Sequence, residues 1–290
     1  MMKRSLKFGL ALAAGVSVAG AAQAQEVMIG HTTWTSNLIT THIVKTVLEQ
    51  EMDREVQLMQ VDPAPLYKGV ASGDVDFHTV GWLPSTHSDY YKDVNDDVIS
   101  MGAIYTRARL GWIVPAYVPE DKISSIPDLK KDGISEKLDG TITGIGPGAG
   151  LTRLSKKAMD DYGLKDAGYE LEISSGAGMT SSVKRAIDNE EWIVATSWSP
   201  HWMFGRWDLR YIEDPKKTLG KFEHVDIIAR EGFYQDDPEV GDMLYRMQIP
   251  IADVQAAMYD AEESSYSEAA QAYVDANADR VDYWVSGEMQ

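Results

Sequence analysis

The 290-residue sequence predicts an α/β fold built as a two-lobed clamshell with a hinge. Three observations predict it. Short apolar runs alternate with amphipathic stretches along most of the chain, the pattern of strands and helices packed in layers. The length exceeds the ~100–200 residues usual for one domain, so two units of roughly a hundred residues each fit it. No cysteine occurs, so each unit must hold its core without disulfides, although the first residues read as an export segment.

That segment comes first. Lys3, Arg4 and Lys7 make a basic start, residues 8–22 are apolar or small without a charge, and Ala22-Gln23-Ala24 has the small-x-small form of a cleavage site. Residues 1–24 are therefore expected to be a signal peptide. A transmembrane helix is the competing reading, but the apolar stretch is short for a ~30 Å hydrocarbon layer and lacks a stop-transfer flank. With no cysteine to carry a lipid, the expectation is a free periplasmic protein that is neither a lipoprotein nor membrane-embedded.

Residues 26–30 read as the first strand. A helix follows from about Asn37, with Ser36 as N-cap and Leu38, Ile39, Ile43, Val44, Val47 and Leu48 on one face. Val56, Leu58 and Val61 mark a second strand, residues 66–72 a short helix ended near Gly73, and residues 75–80 a strand running into Gly81-Trp82. Ile113 and Val114 lie in another strand, closed by Pro115. Residues 117–139 read as surface loops with a short helix, and residues 141–145 as a strand. Gly146-Pro147-Gly148-Ala149-Gly150 forms the turn into a helix at 151–162, where Leu151, Leu154, Ala158, Met159 and Tyr162 face inward and Gly163 ends it. Residues 192–196 form a strand entering Ser197-Trp198, and the chain from about Asp236 is mainly helical and acidic. The expected division is residues 25–112 plus about 225–290 in lobe I and 113–224 in lobe II.

Composition excludes several functions. Losing Lys3, Arg4 and Lys7 takes the net charge from −18 to −21, which opposes binding to nucleic acid, whose phosphates require basic patches. Thiolate metal sites and cysteine nucleophiles are absent. His31, His42, His78, His201 and His224 show no paired metal spacing, and Asp74 and Asp76 lack the EF-hand pattern. No G-x-S-x-G elbow or recognisable Ser, His and Asp order occurs. The sequence thus calls for no catalytic residue, metal or cofactor.

Three tryptophans follow predicted strands and enter polar loops: Trp34, Trp82 and Trp198. Ligands of open α/β sheets bind beyond the carboxyl ends of strands, where these residues fall. Taken singly, each reads as a packing residue; their repetition points to a cleft. A methylated ammonium has no N–H to donate, and aromatic faces suit it at ~0.5–2 kcal/mol per ring. Trp112, Trp192, Trp207 and Trp284 read as structural, whereas Trp202, four residues after Trp198, could buttress the site from a shared helical face. The glycine turn offers the amides of Gly150 and Leu151 to a carboxylate at a helix start, though its spacing equally fits a simple tight turn. It is neither a dinucleotide fingerprint nor a P-loop. His87, five residues after Trp82, is placed to donate to the same carboxylate, with a surface or structural role as its alternative.

Gly73-Asp74-Val75-Asp76, Trp82-Leu83-Pro84-Ser85-Thr86-His87, Gly144-Ile145-Gly146-Pro147-Gly148-Ala149-Gly150, Trp198-Ser199-Pro200-His201-Trp202-Met203-Phe204 and Tyr211-Ile212-Glu213-Asp214-Pro215-Lys216 carry a resemblance. Across roughly residues 27–235 the chain resembles the OpuAC-type glycine betaine/proline betaine-binding proteins of ABC importers. The resemblance implies a two-lobed periplasmic-binding-protein fold and a prism of Trp34, Trp82 and Trp198 around the ammonium. It also implies carboxylate contacts from the Gly150 and Leu151 amides and His87, and a permease with its ATPase as partners of a non-enzymatic, monomeric protein. Two positions depart from the pattern: Gly146 precedes Pro147 where relatives often carry Asp, and His31-Thr32-Thr33 is a more polar lead-in to Trp34. Trimethylamine oxide, choline, carnitine and dimethylsulfoniopropionate share the methylated cationic head. A periplasmic enzyme acting on such a compound, or a ligand-sensing partner of a receptor, are the readings from other classes.

Overall fold

The computed structural model describes residues 25–289; the expected signal peptide lies outside them. β1 (Gln25–His31) leads into α1 (Thr35–Glu51), β2 (Arg54–Gln60), α2 (Pro63–Ser72), β3 (Phe77–Leu83) and the short α3 (Ser88–Lys92). β4 (Val98–Pro115) is 18 residues long. α4 (Ile134–Lys137), β5 (Thr141–Thr143), α5 (Gly150–Asp161), β6 (Glu170–Glu172), α6 (Gly176–Asp188), β7 (Ala195–Ser199), α7 (Met203–Arg206) and β8 (Leu209–Tyr211) follow. β9 (Glu223–Arg230) then precedes a helical tail of α8 (Phe233–Asp236), α9 (Pro238–Arg246), α10 (Ile251–Glu263), α11 (Tyr266–Ala276) and α12 (Ala278–Ser286).

The strand order is β2-β1-β3-β9-β4-β7-β5-β6, with β8 also on β4. β1 pairs in parallel with β2 and β3, as connections through α1 and α2 require. β9 lies antiparallel between β3 and β4. β4 changes partners partway along: its residues to Ala108 pair with β9, and those from Arg109 pair with β7. The change falls at a register shift between Thr106 and Ala108, where Arg107 takes φ +64°. A bulge there bends the strand and lets it serve two groups of strands. This mixed sheet covered by helices is a two-lobed α/β fold, in agreement with the sequence reading.

Each group has its own apolar filling. All seven residues of β3 are buried, and α1 sets Ile39, Ile43, Val44, Val47 and Leu48 at 0 % exposure against the strands and α11. Around β5 and β7, Ile142, Val194, Ala195, Met159 and Trp112 are equally inaccessible. The Trp112 indole donates to Ser155 Oγ at 3.0 Å, and Trp284 on α12 is 1 % exposed, so both are core residues.

Local details differ from expectation. α1 starts at Thr35 with Trp34, not Ser36, as the residue before it, and the Ser36 hydroxyl accepts from Trp198. Trp192 precedes β7, which starts at Ala195 and includes Trp198. The first half of β4 and all of β9 were not foreseen. Among the described residues no helix is long and apolar enough to cross a membrane.

Candidate functional site

Four junctions of strand and helix meet at one cavity. β1 ends at His31, and the next residues are tied down locally: Thr32 donates its amide to Asn37 Oδ1 at 2.7 Å, and Asn37 Nδ2 donates to Thr79 Oγ1 on β3 at 2.9 Å. This buried polar cluster fixes Trp34, whose carbonyl accepts the amides of Asn37 and Leu38 in the first turn of α1. Trp34 stays half-buried. Trp82 sits near the end of β3 at 3 % exposure, and Trp198 near the end of β7 at 4 %.

The cavity holds ≈ 280 Å³ of empty space, part of it open to solvent. Trp34, Trp82, Trp198, His87, Gly150 and Leu151 all line it. Every residue singled out for direct ligand contact is therefore brought together. Trp202 is not among the lining residues. Its ring lies 5.6 Å from His201 and 5.3 Å from Trp207, and His201 packs edge-on to Trp198 at 4.5 Å.

Thr86, Leu110, Ile145 and Ala149 complete the lining. Sequence reasoning did not single these out. Thr86 and Ala149 adjoin recognised motifs and could have been included on that ground, whereas nothing local marks Leu110.

No charged side chain lines the cavity among the described residues. A cation there meets indole faces instead of a carboxylate, and an anion meets only neutral donors. His87 is one such donor. Its ring is fully buried, and burial lowers its pKa from 6.5 to about 3, so the imidazole is neutral. Its Nδ1 accepts the Trp82 amide at 3.4 Å and faces the Tyr67 hydroxyl at 3.5 Å. Accepting at Nδ1 places the proton on Nε2, which has no hydrogen-bond partner among the described residues. The His87 amide donates to the Trp82 carbonyl at 2.8 Å, which locks histidine and tryptophan into one turn.

The second set of donors lies at the start of α5. Gly150 and Leu151 open the helix, and Ala149 before them has no side chain able to cap their amides. The helix dipole adds positive potential where these N–H groups meet the cavity. Gly150 also answers a steric demand: a Cβ there would lie 2.4 Å from the Thr86 carbonyl oxygen and 2.6 Å from Thr86 Cγ2. Around the cavity further bonds link the same two sides. Trp198 Nε1 donates to Ser36 Oγ at 3.3 Å, Tyr90 donates its hydroxyl to the Gly148 carbonyl at 3.0 Å, and Arg153 Nη2 donates to the Thr86 carbonyl at 3.1 Å.

The family model described as the substrate binding domain of ABC-type glycine betaine transport systems matches residues 25–276. The glycine betaine/carnitine transport binding protein GbuC of Listeria monocytogenes is 36% identical over 185 residues, covering 63% of this chain and 58% of that protein, so the match spans under two thirds of the relative's length. Lactococcal OpuAC, solved closed and liganded with glycine betaine, superposes with a TM-score of 0.83 at 31% identity, covering 90% of this chain and 100% of that one. The ProX protein of Borrelia burgdorferi, a glycine/betaine/L-proline-binding protein, gives a TM-score of 0.84 at 30% identity, covering 90% and 97%.

Proposed function

Since the chain belongs to the family of substrate binding domains of ABC-type glycine betaine transport systems, we propose that it captures glycine betaine between its two lobes and presents it to a membrane permease driven by an ATPase. In this reading the protein is exported, works in the periplasm as a monomer and carries out no chemistry of its own. Lobe I comprises residues 25–112 and about 225–290, and lobe II residues 113–224.

The observation that carries the reading is one cavity lined by three tryptophans and no formal charge, with neutral N–H donors at it. Trp34, Trp82 and Trp198 would hold the trimethylammonium head through the ring quadrupole and methyl contact. His87 Nε2–H and the Gly150 and Leu151 amides would hold the carboxylate. The two demands favour a zwitterion over choline, which has the head without the carboxylate. Trp34, Trp82 and His87 come from one lobe, Trp198 and α5 from the other, so ligand contacts all of them only when the lobes are shut. That differential contact shifts the population toward the closed form.

A thermal-shift and calorimetric screen tests this against glycine betaine, proline betaine, choline, carnitine, trimethylamine oxide and dimethylsulfoniopropionate. Glycine betaine at 100 times its dissociation constant should stabilise the fold by ~2.7 kcal/mol. NMR of the mixture should show the ligand unchanged after prolonged incubation. Choline binding as tightly as glycine betaine would remove the carboxylate site from the reading, and no stabilisation by any of the six would remove the reading itself.

A further inference from the structure

Glu223 is a carboxylate in an unusual place. It opens β9 opposite Ala108 of β4 and is only 4 % exposed, yet among the described residues no Lys or Arg lies within ion-pair distance of it. Burying an unpaired carboxylate is costly unless its oxygens are occupied by donors. Both are occupied, and by the same residue: Oε1 accepts the Thr86 hydroxyl at 3.0 Å and Oε2 accepts the Thr86 amide at 3.3 Å. The contact spans 137 positions of sequence.

Thr86 is the residue on which the two sides of the cavity meet. It lines the cavity, its carbonyl accepts Arg153 of α5, and its Cγ2 and carbonyl oxygen crowd the position above Gly150. A loop residue with amide and hydroxyl both pinned to a buried carboxylate can turn only its carbonyl outward, which is the group that Arg153 and Gly150 meet. The charged and titratable groups that act on Glu223 are Arg153 from α5 and His224 on its own strand, while Tyr67 of α2 feels its charge. Burial raises the carboxyl pKa, and the Thr86 hydrogen bonds oppose the shift.

We propose that Glu223 is a positioning residue for the binding cavity: it holds Thr86 in the one orientation that lets α5 dock through Arg153 and Gly150 and so completes the site. It touches no ligand and acts through Thr86. The inference deepens the proposed function and, in its ligand-binding arm, rests on it.

The test is Glu223→Leu in the full chain, alone and combined with Arg153→Ala. Leucine keeps much of the volume but offers no acceptor to either the Thr86 amide or its hydroxyl. In ligand-free protein, NMR should show the Thr86 amide exchanging about tenfold faster than in the native chain, with the melting temperature little changed. Calorimetry with glycine betaine should show about tenfold weaker binding in the native background and less than about twofold in the Arg153→Ala background, because the two residues act in series. Equal losses in both backgrounds, or unaltered Thr86 exchange, would overturn the proposal. If the native chain binds no onium compound, the ligand reading fails, and the exchange arm alone decides the role of Glu223.

Discussion

The indole Nε1–H of Trp198 donates to the Ser36 hydroxyl, joining β7 to the first turn of α1 across 162 positions of sequence. Trp198 is 4 % exposed and Ser36 1 %, so neither group has water as a ready substitute. The bond spans the cavity. It forms only when the strand group bearing Trp198 lies against the one bearing α1.

Ser36→Ala should therefore weaken ligand capture more than it weakens the fold. Leaving a buried N–H without its acceptor costs about 1–3 kcal/mol, or about thirtyfold in affinity at the middle of that range. Calorimetry with glycine betaine, beside thermal unfolding of the ligand-free chain, measures both quantities. A loss of melting temperature with unchanged affinity would place the bond in the fold instead of in closure.

Trp34→Ala is the cleanest test of the aromatic lining. Trp82 and Trp198 are almost wholly buried, so truncating either also opens a hole in the packing, whereas Trp34 is half-buried. Losing one ring from around an onium head removes ~0.5–2 kcal/mol. Loss of its tilted ring contact with His87, 5.9 Å away, adds to this. Binding of glycine betaine should weaken about tenfold or more while ligand-free stability changes little. Unchanged affinity would take Trp34 out of the site.

Gly150→Ala should separate closure from stability. Alanine is the better helix former by about 1 kcal/mol, so α5 itself should not suffer. Its methyl group, however, would overlap the Thr86 carbonyl at 2.4 Å. Overpacking of this kind costs about 1–3 kcal/mol, a loss of about fivefold to 150-fold in affinity. The expected result is weak binding by a chain that melts no lower than the native one.

Acid should destabilise the ligand-free protein through its buried imidazoles. Burial lowers the pKa of His78, His87 and His201 from 6.5 to about 3. The unfolded chain takes up a proton at each below about pH 6.5, while the folded chain refuses it until about pH 3. Stability is thus full above that window and declines as pH falls through it, at about 1.4 kcal/mol per pH unit for each histidine. Urea unfolding at pH 7, 6, 5 and 4 reads this slope, and a flat profile would mean that the rings are charged in the folded state.

The lining of the cavity was largely legible because its chemistry sits in short contiguous blocks at strand ends. Trp82 to His87 is one such block, and the glycine turn before Leu151 is another. The supports were not legible, since they arise from contacts between distant segments. Glu223 looks like any surface acid in sequence, and only the pairing of β9 with β4 carries it beneath Thr86. Ser36 reads as a helix cap because its type favours that role, but its hydroxyl serves Trp198 instead. Half of β4 escaped notice because Ser100, Gly102, Thr106 and Arg107 interrupt any apolar alternation, and register shifts at Met101, Ile104 and Arg107 break its period of two.

The switch of partner between Ala108 and Arg109 has a mechanical consequence. One continuous backbone runs as a strand through both halves, so fraying of one half loosens the strand on which the other is built. Heating should consequently produce a single calorimetric endotherm instead of two. Two resolved peaks would show that the shared strand transmits no cooperativity.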